Sequence, residues 1–287
     1  MTLRRARGAD IPAMEAFLAY HAETSMFLRS NLATHGLDEL AHPHGTSFWL
    51  SEDDGGLTGV FGATNAGYLM AQAPDVAPDV WAAWAQALDG RMMRGITGED
   101  RQVRRALAAM KLRAELFSVN HAEPLYRLDL DRLPSPVDVI RPAAPGDRAM
   151  LAEWYAAYLT ETGLTDDPAR ARDEAAARAL AACKPGAPER LLLENGHPVA
   201  AASINAQVAG MVQVGGVYVP EPLRGRGLGR RVTAARLIEA ASAGARQAIL
   251  FSNNAAASRA YESIGFERIG QYRVAVLKAP HFAGDRP

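Results

Sequence analysis

Along the second half of the chain, apolar residues recur first at helical and then at strand spacing. Leu151, Trp154, Tyr155, Tyr158 and Leu159 follow Met150 on one helical stripe, with Pro145-Gly146-Asp147 marking its start and Gly163 its end. Asp167 followed by Pro168 predicts the cap and first position of a second helix, which Ala-rich sequence carries to about Cys183. The period then shortens. Arg190–Glu194 and Val199–Ala206 flank Asn195-Gly196, a pair suited to a type I′ turn because both central residues need positive φ. Met211 to Val219 predicts a third strand, Leu228, Val232, Ala235 and Ile238 a helical stripe, and Ala248–Phe251 a short strand. Asn253-Asn254 then leads into a helix from about Ala255 to Ile264, stopped by Gly265. With a short strand predicted at Val137 to Ile140, the order is that of an α/β domain, an α+β mixed sheet flanked by helices.

The first half carries a weaker version of this order. Ile11 to Ala22 reads as one helix, Phe48-Trp49-Leu50 and Leu57–Ala63 flank the turn Asp53-Asp54-Gly55-Gly56, and Trp81 to Leu88 is helical. Thr97-Gly98-Glu99-Asp100 has a capping-box pattern before a helix through Val103, Leu107 and Met110. Leu116-Phe117-Ser118-Val119-Asn120 also matches Leu250-Phe251-Ser252-Asn253-Asn254 at four of five positions, which together with the element order predicts an internal duplication. A boundary is expected at Leu133-Pro134-Ser135-Pro136, after the strand-like Leu125–Leu130, giving domains 1–135 and 136–287.

With 287 residues, 48% hydrophobic, 22% charged and a formal net charge of −1, the composition is that of a folded globular protein. No run approaches about 18 apolar residues and the start runs into Arg4-Arg5, so neither a membrane span nor a secretory signal is expected and a cytoplasmic location is. The Ala- and Arg-rich, Lys-poor composition suggests a high-GC bacterial source. The single Cys183 cannot form an internal disulfide and reads as a structural thiol, and His42-Pro43-His44 reads as a loop, so no metal is expected. Residues 1–136 hold 13 basic and 17 acidic side chains and residues 137–287 hold 18 and 15. That asymmetry is too small for nucleic acid but suits a second half that handles one small anion.

An anion seat is written into Arg224-Gly225-Arg226-Gly227-Leu228-Gly229. Successive amides without shielding Cβ atoms sit where a helix begins, and the helix dipole favours negative charge there. An isolated Arg/Gly turn on a solvated surface reads the same way. The ending of a phosphate-binding P-loop is absent, and Gly225, Gly227 and Gly229 do not fit the dinucleotide fingerprint.

Val217-Tyr218-Val219-Pro220 followed by Arg224-x-x-Gly227-x-Gly229, then Asn254, Tyr261 and Gly265-Phe266, resembles the GNAT N-acetyltransferase superfamily over roughly residues 137–280. The resemblance implies two tandem GNAT-like domains, each with a mostly antiparallel sheet and splayed strands, the first a degenerate copy. In that copy Arg94-Gly95-Ile96-Thr97-Gly98 stands near the loop position, followed by Glu99 and Asp100. The second domain is implied to bind acetyl-CoA as co-substrate: Val217, Tyr218 and Val219 main chain along the pantetheine arm, with Gly215-Gly216 as the bulge that starts the divergence. Amides of Gly225, Arg226, Gly227, Leu228, Gly229 and Arg230 would hold the pyrophosphate with help from the Arg224 and Arg226 side chains. Arg231 would face solvent, and Asn254 and Ser258 would reach the coenzyme arm.

Tyr261 matches the family tyrosine near the thioester sulfur and is the candidate catalytic acid for the departing thiolate, although a tyrosine beside Ile264 and Phe266 also fits core packing. A strand N–H near Val217 or Tyr218 would stabilise the oxyanion. The general base is not visible: Met211–Val217 has no carboxylate, Glu194 lies at an exposed turn, and His121 and Glu123 are the remaining suggestions. Trp154, Tyr155 and Tyr158 fit either an amine pocket or core. The expectation is an N-acetyltransferase for a primary amine of a small molecule, without nucleic-acid or membrane partner, as monomer or homodimer. Its rivals are a coenzyme-binding module without turnover and a transferase for longer acyl chains.

Overall fold

In a computed structural model that describes residues 2–37, 39–133 and 138–284, one order of elements occurs twice. The first run is β1 (Thr2–Arg5), α1 (Ile11–Tyr20), α2 (Ala22–His35), β2 (Thr46–Asp53), β3 (Gly56–Thr64), β4 (Tyr68–Gln72), α3 (Pro78–Ala87), β5 (Met92–Glu99), α4 (Asp100–Ala109) and β6 (Phe117–Asp129). The second is β7 (Ile140–Pro142), α5 (Arg148–Glu161), α6 (Pro168–Ala182), β8 (Arg190–Glu194), β9 (His197–Val208), β10 (Met211–Tyr218), α7 (Leu228–Ser242), β11 (Gln247–Phe251), α8 (Ala255–Glu262) and β12 (Glu267–Phe282). Pairing repeats too. Antiparallel steps run through β1-β2-β3-β4 and β7-β8-β9-β10, and one parallel step follows in each, β4 to β5 and β10 to β11.

The division into units differs from the expected 1–135 and 136–287. One unit comprises Met1–Glu123 with Gln271–Pro287, the other Pro124–Gly270. The division falls before the proline-rich stretch, whose residues 134–136 lie outside the described ones. Instead the end of β6 serves the second unit, where Leu125–Asp129 pairs antiparallel with β11. The end of β12 serves the first, where Tyr272–Val276 pairs antiparallel with β5. The reason is hydrogen bonding: β5 and β11 each carry an unpaired row of main-chain groups beyond their parallel partner, and burial requires that row to be satisfied.

Each sheet is covered on both faces. In the first unit Phe48 and Leu50 point into a core with Met14, Leu18 and Leu28 of α1 and α2. Trp49 between them points into a core with Trp81, Trp84 and Val103 of α3 and α4. In the second unit Leu191 joins α5 and α6, and Leu192 joins Leu228 and Val232 of α7. β4, buried along nearly its whole length, reads as a short apolar run without alternation and escapes a pattern-based reading, as does β1, which is only four residues long.

Local signals otherwise translate directly. Asn195 and Gly196 take φ of 50° and 81° in the β8–β9 turn, and the Asp167 side chain caps α6 through the amides of Ala169 and Arg170. Four expectations need correction. The single helix at Ile11–Ala22 is two, broken at His21, whose ψ of 38° leaves the helical range. Thr97-Gly98 belongs to β5, and it is Glu99 that caps α4 by accepting from Gln102 N–H at 3.1 Å. The strand expected at Val137 to Ile140 is Ile140–Pro142, Val137 lying outside the described residues. Phe117–Asn120 forms the start of β6, whose counterpart by order is β12, so the likeness of Leu116–Asn120 to Leu250–Asn254 is not the repeat. Among the described residues no helix is long and apolar enough to cross a membrane.

Candidate functional site

The site begins where two strands part. β10 pairs with β11 only over Met211–Gln213, while on its other edge it stays with β9 as far as Tyr218. A bulge sits between Gly215, opposite Ser203, and Tyr218, opposite Ala201. Gly216 takes φ of +61°, which favours glycine, and a Cβ on Gly215 would lie 2.0 Å from Asn205 Nδ2, so that side chain would have to shift. From Val214 to Tyr218, the edge towards β11 therefore carries main-chain donors and acceptors that no strand covers among the described residues. An extended ligand rich in amides can pair there.

Immediately after β10 the glycine loop turns into α7. Gly225 and Gly227 adopt φ of +78° and +72°, and Gly227 is the N-cap of the helix. The first intrahelical bond is Arg231 N–H to Gly227 C=O at 3.1 Å. The amides of Gly225 through Arg230 thus have no backbone partner among the described residues and lie at the positive end of α7. The Arg230 side chain is likewise without an ion pair among the described residues. Consecutive free amides, a helix N-terminus and a free guanidinium suit a diphosphate.

The other arginines are engaged within the chain. Arg224 donates to Glu161 Oε2 at 2.6 Å and to Val219 C=O at 3.0 Å. Arg226 donates to Glu194 at 2.6 Å. Arg231, expected to face solvent, is half-buried between Asp138, at 2.6 Å, and Glu194. The Arg231 bond, with Arg226 beside it, holds the Glu194 carboxyl below the usual range, so Glu194 is a counter-ion and not a poised base.

A cleft of about 520 Å³ opens between these elements. It is lined by Val217, Tyr218 and Val219, by Arg224, Gly225 and Gly227 through Arg230, and by Asn254 and Tyr261. Two residues expected at the coenzyme do not line it. Arg226 turns to Glu194, and Ser258 donates to Ser252 Oγ at 3.1 Å inside the unit. Asn254 lines the cleft while serving as a cap: its Oδ1 accepts from Ala257 N–H at 2.8 Å, and its Nδ2 donates to Asn253. Tyr261, 8% exposed, both lines the cleft and meets the Phe266 ring edge-on at 6.0 Å, so packing and access to the cleft coexist.

One wall of the cleft comes from α5. Tyr158, Glu161 and Thr162 line it, and Trp154 and Tyr158 stand 6.0 Å and 6.4 Å from the Tyr218 ring. Tyr155, one position off this stripe, belongs to the core beneath. Glu161 was not singled out from the sequence, although it follows Trp154 and Tyr158 at helical spacing and so shares their face.

The remaining candidates lie elsewhere. His121 and Glu123 pair with each other on β6 at 3.1 Å and do not line the cleft; burial pushes the Glu123 carboxyl up, against the pull of His121. Burial likewise raises the Cys183 thiol, which suits a structural role. His42 accepts from His44 N–H and stacks on His35 at 4.2 Å. No cluster of three metal-ligating side chains occurs among the described residues.

Arg94–Gly98, expected near the loop position of the first copy, instead lies on β5. The positional counterpart of the glycine loop is residues 73–77, between β4 and α3. It has no glycine, contributes Pro74 without an N–H, and carries Asp75. Its first amide, Ala73 N–H, is taken by Gln102 Oε1 at 2.5 Å, and Pro74 C=O accepts from Arg105 at 2.7 Å.

A helix-flanked mixed sheet whose parallel strands splay beside a glycine-loop helix start defines the fold, two tandem GNAT-like units. Residues 148–266 match the family model of the acetyltransferase (GNAT) family. Several solved structures share the fold over the whole chain. A tandem GNAT protein from the clavulanic acid biosynthesis pathway aligns with a TM-score of 0.55 at 15% identity, covering 100% of this chain and 99% of its own. A GCN5-related N-acetyltransferase from Sphaerobacter thermophilus aligns at 0.55 and 18% identity, over 96% and 94%. A GNAT-family acetyltransferase from Colwellia psychrerythraea aligns at 0.51 and 14%, over 97% and 100%. No curated protein sequence matches the chain.

Proposed function

We infer that the C-terminal unit is an acetyl-CoA-dependent N-acetyltransferase acting on a primary amine of a small molecule. The observation that carries this reading is the convergence of three features in one cleft: the uncovered β10 edge, the amides of the glycine loop and Tyr261. When bound, the coenzyme supplies an activated acetyl thioester. The amides of Gly225 through Arg230, with the Arg230 guanidinium, bind its diphosphate. Main chain of Val217, Tyr218 and Val219 orients the arm as an added strand, and an N–H on this edge faces the charge that develops on the acyl oxygen. The Tyr261 hydroxyl supplies a proton to the leaving sulfur.

Charge near neutrality and a cleft of about 520 Å³ favour a metabolite-sized acceptor over a basic protein tail or nucleic acid. In the first unit the equivalent loop has no glycine, its Ala73 amide is taken by Gln102 and Pro74 offers none, which supports one coenzyme per chain.

Calorimetric titration of acetyl-CoA, followed by assay of CoA release with an amine panel, tests the reading. One site per chain and amine-dependent release are expected. No binding sinks the coenzyme reading, two sites sink the one-copy reading, and binding without release for any amine leaves a coenzyme-binding module.

A further inference from the structure

At the junction of α5 and the glycine loop, an acidic and aromatic corner already holds a cation. Glu161 is the only carboxylate lining the cleft among the described residues, and its Oε2 takes Arg224 Nη2 at 2.6 Å. The same guanidinium lies 5.8 Å from the centre of the Tyr218 ring. Trp154 and Tyr158 complete the corner around Tyr218, and a second guanidinium, Arg178, stands 5.8 Å from the Tyr158 ring. Aromatic faces joined to one carboxylate are the chemistry that recognises ammonium and guanidinium groups. The Tyr218 hydroxyl belongs to the same cluster: burial first, and Glu161 next, make it harder to ionise.

Arg224 is held loosely enough to leave. Arg224 and Glu161 side chains are 44% and 42% exposed, so their ion pair is screened and contributes little to stability. Arg224 also opens the loop whose amides, from Gly225 onward, form the anion seat. A diphosphate carries more negative charge than one carboxylate and competes for this guanidinium.

Resting on the coenzyme reading above, we propose that Glu161 with Trp154, Tyr158 and Tyr218 forms the subsite for a positively charged group of the acceptor, and that Arg224 occupies it as a stand-in until the coenzyme's diphosphate draws it away. The acceptor class is then a small cationic amine, such as a diamine or a compound bearing a guanidinium beside its reactive amine. Binding is ordered, coenzyme first, because the subsite is filled in the free chain.

Calorimetry on the full chain tests this with CoA, which cannot turn over, and 1,4-diaminobutane as the cationic probe. The wild type is expected to bind the diamine at least tenfold more tightly with saturating CoA than without it. Arg224→Gln, which empties the subsite, is expected to bind the diamine without CoA as tightly as the wild type does with CoA. Glu161→Gln is expected to lose at least tenfold in diamine affinity and, having released Arg224, to bind CoA at least threefold more tightly. Both side chains are exposed, so neither exchange threatens folding. Equal diamine affinity with and without CoA, in a wild type that binds CoA, overturns the proposal, as does an Arg224→Gln chain that fails to take up the diamine. The Arg224→Gln arm needs no coenzyme. Failure of the wild type to bind CoA therefore sinks the acetyltransferase reading, while this arm still decides the cationic subsite.

Discussion

Arg141 grips Asp147 with both ends of its guanidinium, Nη1 to Oδ2 at 2.6 Å and Nη2 to Oδ1 at 2.8 Å. Asp147 also accepts from Ala144 N–H at 2.8 Å, tying β7 to the start of α5. Arg4 and Asp10 repeat the whole arrangement in the first unit, at 2.8 and 2.9 Å, with Arg7 N–H as the third donor at 2.7 Å. The shared pattern of an arginine six residues before an aspartate is a better mark of the duplication than the Leu116–Asn120 match.

The Arg141 bond holds the Asp147 carboxyl below the usual range despite partial burial, and the Arg4 bond holds Asp10 down to about 2. A depressed folded-state value means that the stabilisation is complete above the unfolded carboxylate value, near pH 4, and is lost as pH falls through the folded value. Asp147→Ala is expected to cost about 1–2 kcal/mol at pH 7, as for a hydrogen-bonded charged pair. The difference in melting temperature from wild type should narrow as pH falls below about 4. An undiminished difference at pH 3 would mean that the loss comes from packing and not from the ion pair.

Gly227 combines the left-handed φ of +72° with the N-cap position of α7. Gly227→Ala is expected to cost about 1–2 kcal/mol in backbone strain and to weaken acetyl-CoA binding moderately. Gly227→Glu adds a negative charge to the anion seat and is expected to abolish binding in calorimetry. Unchanged affinity in the Glu variant would place the diphosphate elsewhere.

Tyr261→Phe keeps the ring against Phe266 and removes only the hydroxyl. The expected result is a fall in kcat of about a hundredfold or more, the range for a general acid, with little change in KM for acetyl-CoA. An unaltered kcat would reduce Tyr261 to its packing role.

Strand exchange makes a prediction about fragments. Residues 136–287 lack the Leu125–Asp129 partner of β11, whereas 124–270 retains it. The shorter piece, 124–270, is therefore expected to be soluble with a cooperative melt. The piece cut at the proline-rich stretch should aggregate through its open edge. In the full chain, deletion of 271–287 removes Ala275 and Leu277 from the core of the first unit. Amide exchange in that unit should then rise while the second unit stays protected.

Much of the candidate site was legible because its signals are local. The φ demands of Gly216, Gly225 and Gly227, the Asn254 cap and the Asn195-Gly196 turn depend on the residue itself and its immediate neighbours. Glu161, by contrast, sits 63 positions from the arginine it meets, and no local rule pairs them. Arg226 reads as a phosphate contact and Arg231 as surface charge until Glu194 and Asp138 fold against them. Ser258 shares a helix with Tyr261 but faces Ser252, a choice of helix face that only packing settles.

By itself the sequence determined the glycine loop, the bulge, the helix caps and the family resemblance of the C-terminal segment, since each rests on backbone conformations set within a few residues. The tertiary structure decided which strand closes each sheet, which arginines remain free for an anion, and which carboxylate faces the cleft. Those outcomes are matters of pairing between distant residues. A main-chain edge or a charge takes whichever partner the fold brings within reach, and burial penalises leaving it without one.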